Sequence, residues 1–230
     1  MIELTPDESR VLGVLVEKAL TTPDQYPLTL NAVVNGANQK NNRDPVITLE
    51  EARAFEALEG LRVKKLVVRA DMAGSRVNKY RHQAGEALRV RTAELAILAE
   101  LLLRGPQTLG ELRGRASRMQ EFESLEAVKN MLAALMTRDE PLVREIAAAP
   151  GSRAERYVQL LCPELHPIDV SSVSQANTEP ASASSPSLSN RVQMLETEVA
   201  NLRDALRRLA QSIGEPDPLA PTADQSPQQA

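Results

Sequence analysis

Apolar residues in the first part of the chain follow a helical spacing, and the same pattern occurs twice. Each copy has apolar positions three and four residues apart, at Val11, Leu12, Leu15 and Val16 and again at Ile97, Leu98, Leu101 and Leu102. This spacing places the apolar side chains on one face of a helix. Each copy closes on Gly-Ser-Arg followed by a basic residue and a tyrosine, at 74–80 and 151–157. We therefore predict two copies of a helix-rich unit that ends in a tight hairpin.

Polar start signals and turn residues set the expected bounds of the elements. Ser/Thr-x-x-Glu signals at Thr5, Thr48 and Thr108 are typical of helix starts. The first copy is predicted to contain helices at 6–20, 28–39 and 49–64, then strands at 66–69 and 77–82 around a turn at 73–75. The second copy is predicted to contain helices at 92–104, 108–117 and 124–138, then strands at 142–147 and 154–161 around a turn at 149–152.

The C-terminal part of the chain has a different pattern. Residues 163–189 combine Pro, Ser, Ala and Asn with almost no large apolar residue, which predicts a disordered linker. Spacings of three and four then alternate as in a coiled-coil seam, at Val192, Leu195, Val199, Leu202, Leu206, Leu209 and Ile213. The charges beside this seam would attract each other in a parallel homodimer, which we expect. A lone amphipathic helix that folds back on the domains is the alternative.

Together these patterns predict a mainly α fold with small β-hairpins, of the α+β class. A unit of three helices and a terminal hairpin is the plan of a winged helix. The expected organisation is tandem winged-helix domains at 1–85 and 86–162, a disordered linker at 163–189, a coiled-coil helix at 190–213 and a disordered tail at 214–230.

Composition narrows the classes of function. Two Phe, three Tyr and no Trp argue against recognition of single-stranded nucleic acid, which stacks bases on aromatic side chains. The one cysteine, Cys162, cannot form an intrachain disulfide, and His82 and His166 stand alone. Zinc spacing, a Ser/His/Asp order and a glycine-rich phosphate loop are all missing from the sequence. We therefore expect no enzymatic activity, no metal and no cofactor.

Without a signal peptide or a long apolar stretch, a cytoplasmic protein that does not enter the membrane is expected.

Positive charge is concentrated in the predicted hairpins. The chain has a net charge of −4, whereas a dedicated DNA-binding domain usually has a positive excess. Residues 60–81 nevertheless contain seven basic residues and one acidic residue, Asp71. The candidate contacts to DNA phosphates are Arg76, Lys79 and Arg81 in the first hairpin and Arg153 and Arg156 in the second, helped by Arg113, Arg115 and Arg118 on the predicted second helix of the second copy. The alternative is a solvated hairpin whose charges protect a strand edge.

The predicted third helices favour the opposite conclusion. In a helix-turn-helix the first residues of this helix meet the base edges, and here they include Glu50 and Glu51 in one copy and Glu123 and Glu126 in the other. Carboxylates there repel phosphates, although they also complement the helix dipole. A polar loop precedes the first of these helices, with Asn38, Gln39, Lys40 and Arg43 as candidate contacts. Such a loop is either a set of side chains that satisfy their own backbone or a hook for phosphate, base edges or a partner backbone.

Several strings resemble the YceH family of uncharacterised bacterial proteins. They are Glu17-Lys18, Thr21 to Leu28, Asn38 to Val46, Leu101 to Thr108 and Glu111 to Arg113. The resemblance covers about residues 3–161 and much of the tail. It implies a tandem winged-helix fold in a bacterial cytoplasm, and it implies no reaction and no catalytic or ligand residues.

Two functions remain open from the sequence. The first is a non-enzymatic dimer that binds double-stranded DNA through its basic wings, as in a transcriptional regulator. The second is a scaffold in which the winged helices and the coiled coil bind protein partners without DNA. Near-neutral charge and acidic third helices favour the second, whereas the fold and the basic hairpins favour the first.

Overall fold

The computed structural model describes residues 2–70, 77–149, 151–166 and 207–208. The chain divides into two compact units, residues 1–176 and 177–230. In the second unit only Arg207 and Arg208 are described, and both are helical and exposed. The apolar residues of the predicted coiled-coil seam therefore lie outside the described residues, as do the first hairpin turn and Arg76.

The first half of unit 1 alternates helices with short strands. Helix α1 spans Pro6–Thr21, and a 3-10 turn follows at Pro23–Gln25. Strand β1 (Leu28–Thr29) leads into α2 (Leu30–Ala37) and α3 (Glu51–Val63), and β2 (Val67–Ala70) and β3 (Lys79–His82) complete the set. A short helix, α4 (Ala84–Ala87), connects to the second half.

The second half repeats this order. Helix α5 spans Thr92–Arg104, β4 spans Gln107–Thr108, α6 spans Leu109–Ala116 and α7 spans Leu125–Met136. Strands β5 (Val143–Ile146) and β6 (Arg156–Gln159) close it. Capping boxes at Thr5 and Thr108 begin α1 and α6, because each threonine hydroxyl accepts from the backbone of a glutamate three residues on.

Each half contains a three-stranded antiparallel sheet with the same strand order. The first sheet has the order β1-β3-β2 and the second β4-β6-β5. In the first, Leu28 pairs with Tyr80 and Val68 with Arg81. In the second, Gln107 pairs with Tyr157 and Arg144 with Val158. The predicted mixture of helices and small antiparallel sheets is confirmed, whereas the winged-helix assignment stays a prediction.

The two halves share one hydrophobic core around a central helix pair. Residues 8–17 of α1 and 94–103 of α5 are continuously buried, and the two helices pack against each other. Gly13 permits this close approach, because a Cβ there would lie 2.9 Å from Leu103 Cγ. A helix that is buried all round belongs to the interior rather than to a surface, so α1 and α5 join the two repeats.

Two details of the sequence prediction are corrected. The capping signal at Thr48 does not begin α3, whose cap residue is Glu50 without a side-chain hydrogen bond. The Asn38 side chain accepts from Leu49 N at 2.7 Å and donates to Leu49 O at 2.9 Å, so Leu49 is held in the loop. The strands β1 and β4 were not predicted, since two residues are too few for an alternating pattern.

Candidate functional site

The outward face of the first sheet carries positive charge that has no ion-pair partner among the described residues. Residues opposite each other in an antiparallel pair share a face, and successive residues alternate between faces. Tyr80 is buried in the core, so Lys79 and Arg81 lie on the other face, where Thr29, Val68 and Ala70 are their register partners. Among the described positions of these paired strands, no carboxylate shares that face. The sheet therefore presents two cations that an anion can approach.

The second sheet also has two cations on one face, but beside buried apolar residues. Tyr157 faces the core, and Arg156 lies on the other face of β6, beside Thr108 and Ile146 in the register; Ile146 and Val158 on this face are themselves buried. Arg144 lies on the same face, opposite Val158, and is exposed. Arg156 Nε donates to Ala147 O at 3.4 Å. Arg153 is exposed in the turn, which contains Gly151 at φ 83°. Sequence reasoning missed Arg144, which the register of the two strands identifies.

The beginnings of the third helices are acidic, as predicted. Glu50, Glu51 and Glu126 are exposed near the starts of α3 and α7. Arg53, the first cation of α3, is held away from a ligand because its Nε and Nη2 donate to Asp7 at 2.9 and 2.8 Å. These helix starts are therefore poorly suited to phosphate.

Helix α3 also exposes large apolar side chains. Val63 is 84% exposed and Phe55 40%. Glu59 lies between them on the helix surface, since positions four residues apart are neighbours. This surface differs in character from the cationic faces of the sheets.

The three arginines of the predicted α6 cluster have different environments. Arg113 is exposed on α6. Arg115 donates through Nη1 to Gln107 Oε1 at 2.9 Å, and its Nη2 lies 3.1 Å from Glu111 Oε1. Arg118 donates to Glu17 through Nη1 and to Glu100 Oε2 through Nη2, the latter at 2.8 Å. The structure thus engages Arg118 with two carboxylates and does not place it on an open cationic face.

The residues of the polar loop also differ in their environments. Asn38 holds the backbone of Leu49, and Gln39 Oε1 accepts from Arg43 Nη2 at 3.1 Å. The Arg43 side chain has no exposed surface. It donates to both oxygens of Glu17 and, through Nε and Nη2, to Gly36 O at 3.0 and 2.8 Å. Of the four candidates, Lys40 alone is exposed; Asn38 and Gln39 are half-buried and Arg43 is buried.

Where the two repeats meet, the buried Arg43, Glu17 and Glu100 form a charge network with the partly exposed Arg118. Burial by itself would raise the pKa of Glu17, but hydrogen bonds and charges from Arg43 and Arg118 outweigh it and lower that pKa below its ordinary value. Arg118 is affected in the opposite sense: burial would lower its pKa, and Glu100 and Glu17 raise it. The Glu17 carboxylate is thus held ionised, and the network connects α1, α5 and the two loops that follow α2 and α6.

The sequence contained a signal for this network that was not used. Glu100 lies within the most apolar stretch of the chain, and charged residues are almost never fully buried unless they are paired. The partners of Glu100 and Glu17 could not be identified in this way, because Glu17 and Arg118 are 101 positions apart.

The two histidines lie in partly buried surroundings. Burial, with the charge of Arg81 adding to it, lowers the pKa of His82 to about 4. The backbone N–H of His82 donates to the Tyr26 hydroxyl at 2.6 Å. Burial also lowers the pKa of His166, and its Nε2 lies 2.7 Å from Asp44 O.

In the described part of the chain, no group of three or more His, Cys, Asp or Glu side chains could hold a metal ion. No helix there is long and apolar enough to cross a membrane.

Comparison with known proteins places this architecture among bacterial relatives. The family model described as "Protein of unknown function, DUF480" matches residues 4–152. A UPF0502 protein of Shewanella piezotolerans is 42% identical over 211 residues, which cover 90% of this chain and 97% of the relative. Similar proteins of Geobacter sulfurreducens and Mesorhizobium japonicum are 48% and 47% identical, over 87% and 90% of this chain and 90% and 96% of theirs. The similarity therefore spans both repeats.

Proposed function

This chain belongs to the family described as "Protein of unknown function, DUF480", and because that description assigns no activity, we propose from the geometry that it binds double-stranded DNA without catalysing a reaction. The observation that carries the proposal is the outward face of each sheet. Lys79 and Arg81 on one sheet, and Arg144 and Arg156 on the other, share faces with no carboxylate among the described register positions. Cations on an accessible face are the groups that contact phosphates.

We assign each repeat to the winged-helix type. The support is the order of three helices and three strands, repeated with the same strand order in each sheet. The hairpins β2–β3 and β5–β6 are the wings in this assignment. Acidic starts on α3 and α7 favour DNA contact through the wings over base reading by the third helices. The proposed role is a transcriptional regulator in a bacterial cytoplasm.

Dimerisation is a further part of the proposal. Its support is the a/d pattern from Val192 to Ile213 in the sequence. Two copies would present four cationic sheet faces to one duplex. Analytical ultracentrifugation of the full chain and of a chain cut after Ser189 tests this point: loss of the dimer on truncation supports it, and equal molar mass in both contradicts it.

Fluorescence anisotropy with a random duplex at low salt tests DNA binding. We expect the full chain to bind and Arg81→Glu to weaken binding by about tenfold or more, because it replaces an attraction to phosphate with a repulsion. Lys129→Glu is the matched control: it makes the same change of charge at an exposed position of α7. Absence of binding, or equal weakening by both variants, contradicts the proposal.

The exposed apolar surface of α3 favours a second candidate function, a scaffold for protein partners. Phe55 and Val63 lie on one face of α3 with the acidic Glu59 between them, and exposed apolar surface is a feature of protein contact sites. Capture from a nuclease-treated lysate tests it. Partners that survive the nuclease and are lost with Val63→Glu favour a scaffold; partners lost with the nuclease alone favour DNA binding.

A further inference from the structure

A polar groove opens beside the buried charge network, where the two repeats meet. It has a volume of about 670 Å³ and is lined by residues 40–44 together with Arg104 and Arg115. All of these residues are polar, and four carry positive charge against the one carboxylate of Asp44. Ligand sites for apolar molecules have mainly hydrophobic walls. The composition of this groove suits a small, strongly hydrated anion.

The network behind the groove has more positive than negative charge. Arg43 and Arg118 share Glu17, and Arg118 and Arg104 share Glu100, so three guanidinium groups meet two carboxylates. Arg10 is also buried nearby, and its charge interacts with those of Arg43 and Asp44. Two of its nitrogens, Nε and Nη1, have no hydrogen-bond partner.

Burying charge without a counter-charge is costly. Burial, followed by the charge of Arg43, lowers the pKa of Arg10 to about 10. The pKa remains well above neutral, so Arg10 is charged. The junction between the repeats therefore has a positive excess within a protein whose net charge is −4.

Arg104 belongs both to the charge network and to the lining of the groove. Its Nε lies 3.2 Å from Glu100 Oε1 but makes no hydrogen bond in that position. Its Nη2 donates to Asn42 Oδ1, and Asn42 is held in the left-handed region at φ 60°. Lys40 is exposed on the same loop, without an ion pair among the described residues. Arg115 also lines the groove, 39% exposed at its side chain, with its Nη atoms in contact with Glu111 and Gln107.

We propose that this groove binds a phosphate group, with Lys40, Arg104 and Arg115 as its donors. A phosphate offers several acceptor oxygens and up to two negative charges, which suits a groove lined by several cationic donors. Each arginine Nη carries two hydrogens, so Arg104 and Arg115 keep N–H groups for an oxyanion beside the contacts they already make with Asn42, Gln107 and Glu111. The bound group would also balance the positive excess at the junction, and so couple ligand binding to the packing of the two repeats.

The phosphate could come from two sources: a free phosphate or phosphomonoester, or a phosphodiester of duplex DNA. The proposal does not depend on DNA binding by the sheets, because a free phosphate needs only the groove. The two sources are distinguished by titrating the same variants with inorganic phosphate and with duplex.

Isothermal titration calorimetry of the full chain with inorganic phosphate, at constant ionic strength set with chloride, is the first experiment. The variant Lys40→Gln/Arg115→Gln removes two donors. It keeps Arg104, whose contacts with Glu100 and Asn42 are not changed. Lys129→Gln is the control for loss of surface charge. We expect the wild type and the control to bind phosphate alike and the double variant to bind it at least about tenfold more weakly, since each charge-assisted hydrogen bond contributes that much. Circular dichroism checks that the variants are folded.

The second experiment repeats the comparison with duplex DNA by anisotropy. If inorganic phosphate does not bind at about 10 mM but the double variant loses more duplex affinity than the control does, the groove holds a DNA phosphate. If phosphate binds equally to wild type and double variant, or if neither ligand responds to the double variant, the proposal is wrong. Arg81→Glu, measured in parallel, reports separately on the sheet faces.

Discussion

Arginine has two different roles in the inner and outer regions of this molecule. In the inner region, Arg43 and Arg118 donate to Glu17 and Glu100, and Arg43 has no exposed surface. In the outer region, Arg81 and Arg144 lie on sheet faces whose described register positions include no carboxylate. The same side chain therefore joins the repeats in one place and remains available to a ligand in the other.

The difference shows why a count of basic residues is a poor guide to binding. Arg118 was predicted to contact DNA together with Arg113 and Arg115, but its guanidinium donates to two carboxylates from two different helices. Long-range steering by charge depends on cations that are not already neutralised nearby. The net charge of −4 conceals this separation of paired and unpaired charge.

A substitution that breaks the charge network of the inner region is expected to have the largest effect on the stability of the fold. Arg43→Ala removes a bidentate partner of Glu17 and the donors to Gly36 O. Removing one member of a buried ion pair leaves an uncompensated charge and typically costs about 3–5 kcal/mol. We expect the free energy of unfolding, measured by urea denaturation, to fall by that amount.

The matched control is Arg53→Ala. Arg53 also makes a two-pronged contact with a carboxylate, that of Asp7, but its side chain is 57% exposed. Exposed pairs contribute about 1 kcal/mol or less. If the two variants lose equal stability, the buried network does not stabilise the junction as described.

A second prediction uses neighbours on β3 that face opposite ways, His82 inward and Arg81 outward. Burial and the charge of Arg81 lower the pKa of His82 to about 4, whereas an unfolded histidine has a pKa of about 6.5. Between these two values the unfolded chain binds a proton that the folded chain does not, so stability falls as the pH drops from about 6.5 to about 4. The shift corresponds to a loss of about 3 kcal/mol.

His82→Gln tests this prediction, since it removes the titrating ring but keeps the backbone N–H that donates to Tyr26. Urea denaturation from pH 4 to pH 7 should give a shallower pH dependence for the variant than for the wild type. Identical pH dependence in the two proteins would show that His82 is not kept neutral by its surroundings.

The elements that sequence predicted well are those with local causes. Helix α5 has the predicted bounds, and α1 and α6 begin at the predicted threonine caps. Their signals lie within three or four residues of each helix start. The start of α3 was misplaced because Asn38, eleven residues away, holds Leu49 in the loop.

The candidate site was predicted only in part for the same reason. Positive charge in the hairpins is visible in the sequence, but the face on which each cation lies depends on strand register. Arg144 was missed because its position on the cationic face follows only from the register. Arg118 was predicted to contact DNA because its acidic partners, on α1 and α5, are far away along the chain. Long-range pairing of this kind leaves no local pattern.

The salt dependence of duplex binding tests the central distinction between outer and inner cations most directly. Each phosphate contact that is lost makes the slope of log K against log salt concentration less steep by about 0.9. We predict a slope less steep by about 1.8 for Lys79→Gln/Arg81→Gln and an unchanged slope for Arg118→Gln. An unchanged slope for the double variant, or an equal change per residue for Arg118→Gln, would contradict the account.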